Sequence, residues 1–238
     1  MKKSNPLFDK LIVIDDPTPR PGPLNMAIDE ALLSRGPSAI LRFYRWNKPA
    51  ISFGYFVTFA EACAAAGDRA MVRRWTGGGI VPHGEDLTYS IIVPASDAVF
   101  AESSKSIYEN VHRALSCALM TKREKGELVP VAALYQRRDE IESTVIDRRY
   151  NDCFASPVHA DVMVDGRKVA GAAQRKTRSG LLHQGSIQRE NLDPEFRRIF
   201  GKLLANDLIS NSIGSDILTD AEELAAAKYA TEEWLKRR

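Results

Sequence analysis

The chain has 238 residues, 44% of them hydrophobic and 27% charged, with a formal net charge of +2. That length and balance suit one globular domain with a sizeable buried core. The charge is too small to argue for nucleic acid. No apolar run approaches the roughly 20 residues needed to cross a bilayer.

The opening residues lead into no apolar h-region, so no signal peptide is expected. Cys63, Cys117 and Cys153 are an odd number without CxxC spacing. They suggest neither a disulfide framework nor a zinc site, and they fit a reducing cytoplasm. Leu11–Asp15 predicts a first strand, and Pro19–Pro23 breaks it. Leu24, Ala27, Ile28, Ala31 and Leu32 then recur at helical spacing up to Gly36-Pro37. Strands are predicted at Leu41–Trp46 and Ala50–Gly54, a short helix at Glu61–Ala66, and strands at Ala70–Arg74 and Leu87–Val93. Ser106–Met120 carries Ile107, Val111, Ala114, Leu115, Ala118 and Leu119 on one helical face. Residues 122–152 are polar and give no clear periodicity.

Ala160–Val164 and Arg167–Ala173 flank Asp165-Gly166, the dipeptide of a two-residue hairpin, which sets Lys168 opposite Met163. A further strand is predicted at Leu181–Gln188. Asp193-Pro194 opens a helix, and Asp220 is expected to cap a terminal helix reaching Trp234. Frequent hairpins with interspersed helices predict an α+β fold with a mixed, mainly antiparallel sheet flanked by helices.

Two segments carry candidate chemistry. In the first, Arg73-Arg74 precede Trp75-Thr76-Gly77-Gly78-Gly79, with His83 soon after. Consecutive glycines let backbone approach a ligand closely and turn several N–H groups toward one acceptor. The arginines suit a phosphate or carboxylate. A tight turn beside an exposed arginine pair fits the same residues equally well, and neither phosphate-loop spacing is present. In the second, Cys153 precedes the hairpin that carries Lys168, with Gly171-Ala172 further along the strand. An ammonium near a thiol favours the thiolate, and the same lysine can exchange protons with the leaving thiol and the attacking amine. Cys153 lies ten residues before Met163, roughly 33 Å of extended chain, so the loop must double back for the two to meet. A buried cysteine and a solvated lysine remain open as readings of these residue types. His183 is a candidate pocket residue or a structural histidine. Four scattered histidines offer no metal spacing.

Taken in order, Asn25–Leu33, Leu41–Trp46, Arg73–His83 with Leu87–Ser90, Gly166–Gln174 and His183–Ser186 resemble the lipoate–protein ligase and octanoyltransferase family, relatives of the biotin ligases. The resemblance covers roughly residues 10 to 205. It implies a single catalytic domain over 1–238 without a C-terminal accessory domain, and a mixed-sheet α+β fold. It also implies that Lys168 contacts the acyl carbonyl. Asp152-Cys153-Phe154, upstream of the lysine segment, is similar to the octanoyltransferase subgroup that is ligase-like in sequence. That subgroup implies Cys153 as nucleophile, with octanoyl-acyl carrier protein as donor and no cofactor. The acceptor is expected to be a lipoyl-domain protein such as the glycine-cleavage H protein. Arg73, Arg74, Gly77, Gly78, Gly79, His83, Gly171, Ala172 and His183 are expected to bind substrate. The alternative is a lipoate ligase requiring ATP and magnesium. A non-catalytic lipoyl-binding protein and a biotin transferase are further options. Arg137, Arg138, Arg148 and Arg149 in the polar stretch, and above all Arg175, Lys176 and Arg178, which have no acid between them, are candidate docking residues for an acidic carrier protein.

Overall fold

The computed structural model describes residues 6–123, 161–164, 167–188, 192 and 194–237. Cys153, and the polar stretch from 124 on that precedes it, lie outside the described residues.

Seven strands form the main sheet: β1 (Phe8–Asp15), β2 (Ile40–Tyr44), β6 (Leu87–Pro94), β7 (Val162–Val164), β8 (Arg167–Lys176), β9 (Gly180–Ile187) and β10 (Ala205–Asn211). Their spatial order is β10-β1-β2-β6-β9-β8-β7. Pairing is parallel at β10–β1 and β1–β2 and antiparallel at every other step. The sheet is therefore mixed and mainly antiparallel, as the hairpin pattern predicts. Three strands form a smaller sheet, in which β3 (Ala50–Phe53) runs parallel to β4 (Ala70–Arg73) and antiparallel to β5 (Ile80–His83). The parallel step requires a crossover. It is made by α2 (Phe59–Ala66), which Thr58 and Glu61 open with a reciprocal capping box.

Helices cover both faces of the main sheet. On one face, α3 (Ser104–Arg123) and α4 (Pro194–Leu204) bury Ile107, Val111, Leu115, Phe196 and Phe200 against Tyr89 and Phe43. On the other lies α1 (Gly22–Arg35), in whose first turn Pro23 needs no N–H partner. It is covered in turn by α5 (Ser215–Leu224), a π-helical turn at Ala225–Tyr229 and α6 (Glu232–Lys236).

The register sets Lys168 opposite Met163, as the hairpin spacing requires. Three features depart from the sequence reading. Asp220 does not cap a helix: α5 begins at Ser215 after Gly214, and Asp220 lies inside it, paired with Arg35 at 2.5 Å. Thr231 instead caps the last turn by accepting from the Trp234 N–H. β10 carries a polar, mostly exposed sequence without alternation, because as an edge strand it has one neighbour. β5 contains a proline and so lacks the pattern of a buried strand; it too is an edge.

A buried ion cluster joins α1 to the sheet. Arg42 of β2 is fully buried. It donates to Asp29 at 2.8 Å, to Asp16 at 2.9 Å, and to the Asn25 side chain at 2.9 Å. Asp29 also accepts from Ser90 of β6 and Gln184 of β9, each at 2.8 Å, and from Tyr44 at 3.2 Å. Burial opposes the charge on Asp16, but Arg20 and Arg42 hold its carboxyl below the usual range. An Arg42→Ala substitution leaves the buried Asp29 carboxylate without its cation and Asp16 with Arg20 alone. It should cost about 3–5 kcal/mol of unfolding free energy, measured by urea denaturation.

Candidate functional site

The two sheets and α1 meet around a pocket of about 480 Å3 including its open mouth. Met26, Tyr44, Trp46 and Val81 give it apolar surface, and Gly78, Gly171, Ala172, Ala173 and Gly185 keep its wall thin. Its polar groups are Ser52, Arg74, His83, Thr88, Lys168, Gln184 and Ser186. Few polar groups on an apolar concave surface suit a ligand with a reactive polar end and an apolar body.

The arginine pair divides its labour: Arg73 ends β4, and Arg74, the next residue in extended chain, points to the opposite side. Arg73 turns away from the pocket. Its guanidinium donates to the carbonyls of Tyr55 and Val57 at 2.9 and 2.7 Å. It also reaches the carbonyls of Trp234 and Leu235 at 3.0 and 2.9 Å, while the Trp234 indole donates back to the Arg73 carbonyl. The role of Arg73 here is to bind the C-terminal helix. Arg74 faces inward, donating to Ser52 Oγ at 2.7 Å and to the carbonyls of Gly77 and Gly79 at 3.0 and 2.8 Å. It thereby sets the path of the glycine loop, in which Gly78 has φ of 81°, a conformation that favours glycine. Thr76 donates to Gln184 Oε1 at 2.8 Å, tying the loop to β9 and, through Gln184, to Asp29.

His83 stands against Trp46, ring over ring, with centroids 3.9 Å apart and planes at 14°. Its Nδ1 lies 2.7 Å from Asp86 Oδ2 and its Nε2 2.6 Å from Ser52 Oγ. Burial pushes the imidazole pKa down, with Asp86 opposing and Arg74 assisting. Burial works to raise Asp86, but His83, the Ser186 hydroxyl and the Gly84 N–H hold its carboxyl below the usual range.

Lys168 reaches the pocket as an ion pair with Asp161 at 2.7 Å, both side chains being almost fully buried. Tyr108 of α3 donates to the other oxygen of Asp161 at 2.7 Å. Gly171 makes room for this arrangement: a Cβ there would lie 2.6 Å from Lys168 Cε and 2.9 Å from Nζ.

The structure thus brings together Lys168, Arg74, Gly78, His83, Gly171 and Ala172 around one pocket. Gly77 and Gly79 contribute carbonyls to Arg74 behind it. His183 lies among the helices' core rings, bonded to Gln174 at 3.0 Å and Tyr89 at 3.3 Å. Burial, then the neighbouring His112, pushes its pKa well down. Arg175 stacks on Tyr55 and Trp75 and donates to the Trp75 carbonyl, while Lys176 binds the carbonyls of Phe100 and Glu102. Of that trio, Arg175 is half-buried, and Lys176 and Arg178 are exposed. Ser52, Asp86, Asp161, Gln184 and Trp46 are site residues that sequence reasoning missed. Trp46 and Gln184 lie in segments that carry the family resemblance but take no role from it; Ser52, Asp86 and Asp161 are common residues with no local signature. Among the described residues no helix is long and apolar enough to cross a membrane, and no group of three His, Cys, Asp or Glu side chains could hold a metal ion.

Structural comparison finds the same fold in lipoate-protein ligases. The solved structure of lipoate-protein ligase A bound with ATP matches at a TM-score of 0.66 and 22% identity, covering 96% of this chain and 98% of that one. A bipartite lipoate protein ligase from Thermoplasma acidophilum matches at 0.60 and 19%, covering 96% of each. The model of the lipoyl protein ligase A/B catalytic domain matches residues 21–213, and the chain belongs to that family. Among its relatives, octanoyltransferase LipM of Oceanobacillus iheyensis is 34% identical over 178 residues, 71% of this chain and 61% of that protein. The Macrococcus caseolyticus protein of the same name is 31% identical over 265 residues, 90% of this chain and 94% of its own length. The chain therefore spans less than two thirds of the first relative and nearly all of the second.

Two expectations follow from the geometry. Lysine in place of Arg74 cannot hold Ser52 and both glycine carbonyls with one planar fork. Arg74→Lys should speed amide hydrogen exchange at Gly77–Gly79 about tenfold, read by mass spectrometry, without unfolding the sheet. His83 and His183 have depressed pKa values in the fold and about 6.5 when unfolded. The unfolded chain alone takes up these protons, so stability should fall as pH drops below about 6.5. Urea midpoints between pH 7.5 and 5 measure the slope, and a flat profile contradicts it.

Proposed function

We propose that the protein transfers an octanoyl group from acyl carrier protein to a lysine of a lipoyl domain through a thioester on Cys153. Acceptors of the glycine-cleavage H type fit this reading. The observation that carries it is the buried Lys168 ammonium at a mainly apolar pocket, on the strand whose sequence follows Cys153. The names of the octanoyltransferase relatives support it further. In this reading the thiolate of Cys153 attacks the donor thioester carbonyl, the C–S bond to the carrier breaks, and the carrier leaves as a thiolate that takes its proton from solvent. Lys168, held by Asp161, favours the thiolate and stabilises charge on the acyl oxygen. The acyl chain lies against Met26, Val81 and the small residues of β8. The lipoyl-domain lysine then attacks the Cys153 thioester and the amide forms. The chemistry needs no cofactor and suits a cytoplasmic protein acting as one catalytic domain.

A second reading, ATP-dependent lipoate ligation, is favoured by the likeness in fold to ligases, one of them solved with ATP. A transfer assay separates the two. Wild type should octanoylate an H protein from octanoyl carrier protein without ATP, and Cys153→Ala should lose at least 1,000-fold in rate, the scale of a missing nucleophile. Transfer that survives Cys153→Ala but requires free lipoate and magnesium ATP identifies the ligase.

A further inference from the structure

Amide formation leaves one chemical demand unmet. The attacking amine must lose a proton. The residue types allow Lys168 to take it, but in the fold Lys168 is ion-paired with Asp161 at 2.7 Å, and as an ammonium it has no lone pair for that proton. The pocket wall carries another group that does. We propose that Ser52, His83 and Asp86 form a proton relay that accepts the proton of the acceptor lysine as the amide forms. The proposal rests on the acyl-transfer reading above.

The directions of the hydrogen bonds are set by the groups themselves. Asp86 as a carboxylate can only accept. It takes bonds from the Thr88 and Ser186 hydroxyls at 2.8 and 2.7 Å and from the Gly84 N–H at 3.1 Å. His83 Nδ1, 2.7 Å away, must therefore carry a hydrogen. Burial keeps the ring neutral, so Nε2 presents a lone pair. From the other end, Arg74 can only donate, and it donates to Ser52 Oγ at 2.7 Å. The one hydroxyl proton of Ser52 is then directed at His83 Nε2, 2.6 Å away. Both ends of the chain demand the same tautomer. Ser52 Oγ keeps a second lone pair, and Ser52 lines the pocket together with Lys168.

A hydroxyl bonded to a neutral imidazole, itself oriented by a buried carboxylate, is an arrangement recognised by geometry as one that moves protons. Here the hydroxyl is held by a guanidinium, which suits transmission of a proton. In the step proposed, the amine nitrogen forms the C–N bond and the C–S bond breaks, its electron pair staying on sulfur. The nitrogen's proton passes to Ser52 Oγ while the Ser52 proton passes to His83 Nε2. Asp86 stabilises the resulting imidazolium, and Trp46 holds the ring plane. The proton then leaves to solvent, and the Cys153 thiolate is protonated in turn, so the net reaction converts thioester and amine to amide and thiol. Charged groups bearing on the imidazole are Asp86 and, through Ser52, Arg74. Ser52 and His83 meet the transferred proton; Asp86 is a positioning residue.

The test is a single-turnover measurement of two separate steps, charging by octanoyl carrier protein and transfer to the H protein. His83→Gln, which keeps a hydrogen bond to Ser52 without a base, and Asp86→Asn should slow transfer about 100-fold or more, the usual worth of a placed base. Transfer should fall at least tenfold further than charging. In His83→Ala, added imidazole should restore transfer as a saturable function of the neutral base, which a purely structural role would not allow. Equal losses in both steps, a His83→Gln rate like wild type, or no rescue in folded His83→Ala overturns the relay. If wild type never forms a Cys153 thioester, the thioester reading fails separately. The same variants are then read in ATP-dependent transfer, where the amine must lose the same proton.

Discussion

The buried guanidinium of Arg42 is the constraint on which the rest of the structure depends. A charge at zero exposure is tolerated only with its partners in place, and those partners come from β1, α1, β6 and β9 through Asp16, Asp29 and the groups around Asp29. α1 consequently sits at one height and one rotation over the sheet. Met26 and Gln184, on either side of that contact, line the pocket. Gln184 and Tyr44 both bond Asp29 and line the pocket, so the pocket inherits its shape from the ion cluster.

Three arginines repeat this logic at successive distances from the chemistry. Arg42 fixes α1, Arg73 ties the C-terminal helix to the small sheet, and Arg74 fixes the glycine loop. Each uses the planar fork to hold several acceptors at once, which lysine cannot do. Lysine appears where a compact charge beside a reacting group is wanted. Lys168 lies in a slot whose side wall is missing because residue 171 is glycine. The pattern Gly-Arg-Lys-Val-Ala-Gly thus has a steric meaning: its last glycine makes room for its lysine.

The small sheet gives the site its second half. β3 and β5 pair so that Ser52 and His83 lie near one another, and the turn after β5 returns Asp86 to the ring. The two halves of the proposed chemistry therefore stand on different sheets: the ammonium on β8, the neutral imidazole on β5. Such separation lets one pocket hold a charged lysine and an uncharged base at the same pH.

Local pattern was enough to reveal most helices, the hairpin with Lys168 opposite Met163, and the mixed sheet, because periodicity and turn dipeptides report on near neighbours. The same holds for the glycine loop and the lysine segment, whose composition is unusual in itself. β10 and β5 were not legible, since the edge strand β10 is polar and mostly exposed and the edge strand β5 is short and holds a proline. The equal standing of Arg73 and Arg74 in the sequence also misled: two adjacent identical residues face opposite ways at the end of a strand, and only the neighbours on each side decide what each one holds. Ser52, Asp86 and Asp161 are ordinary residues along the chain. They become a relay and a lysine anchor only because strand pairing and the packing of α3 bring together groups far apart in sequence, and long-range contact is what local pattern does not encode.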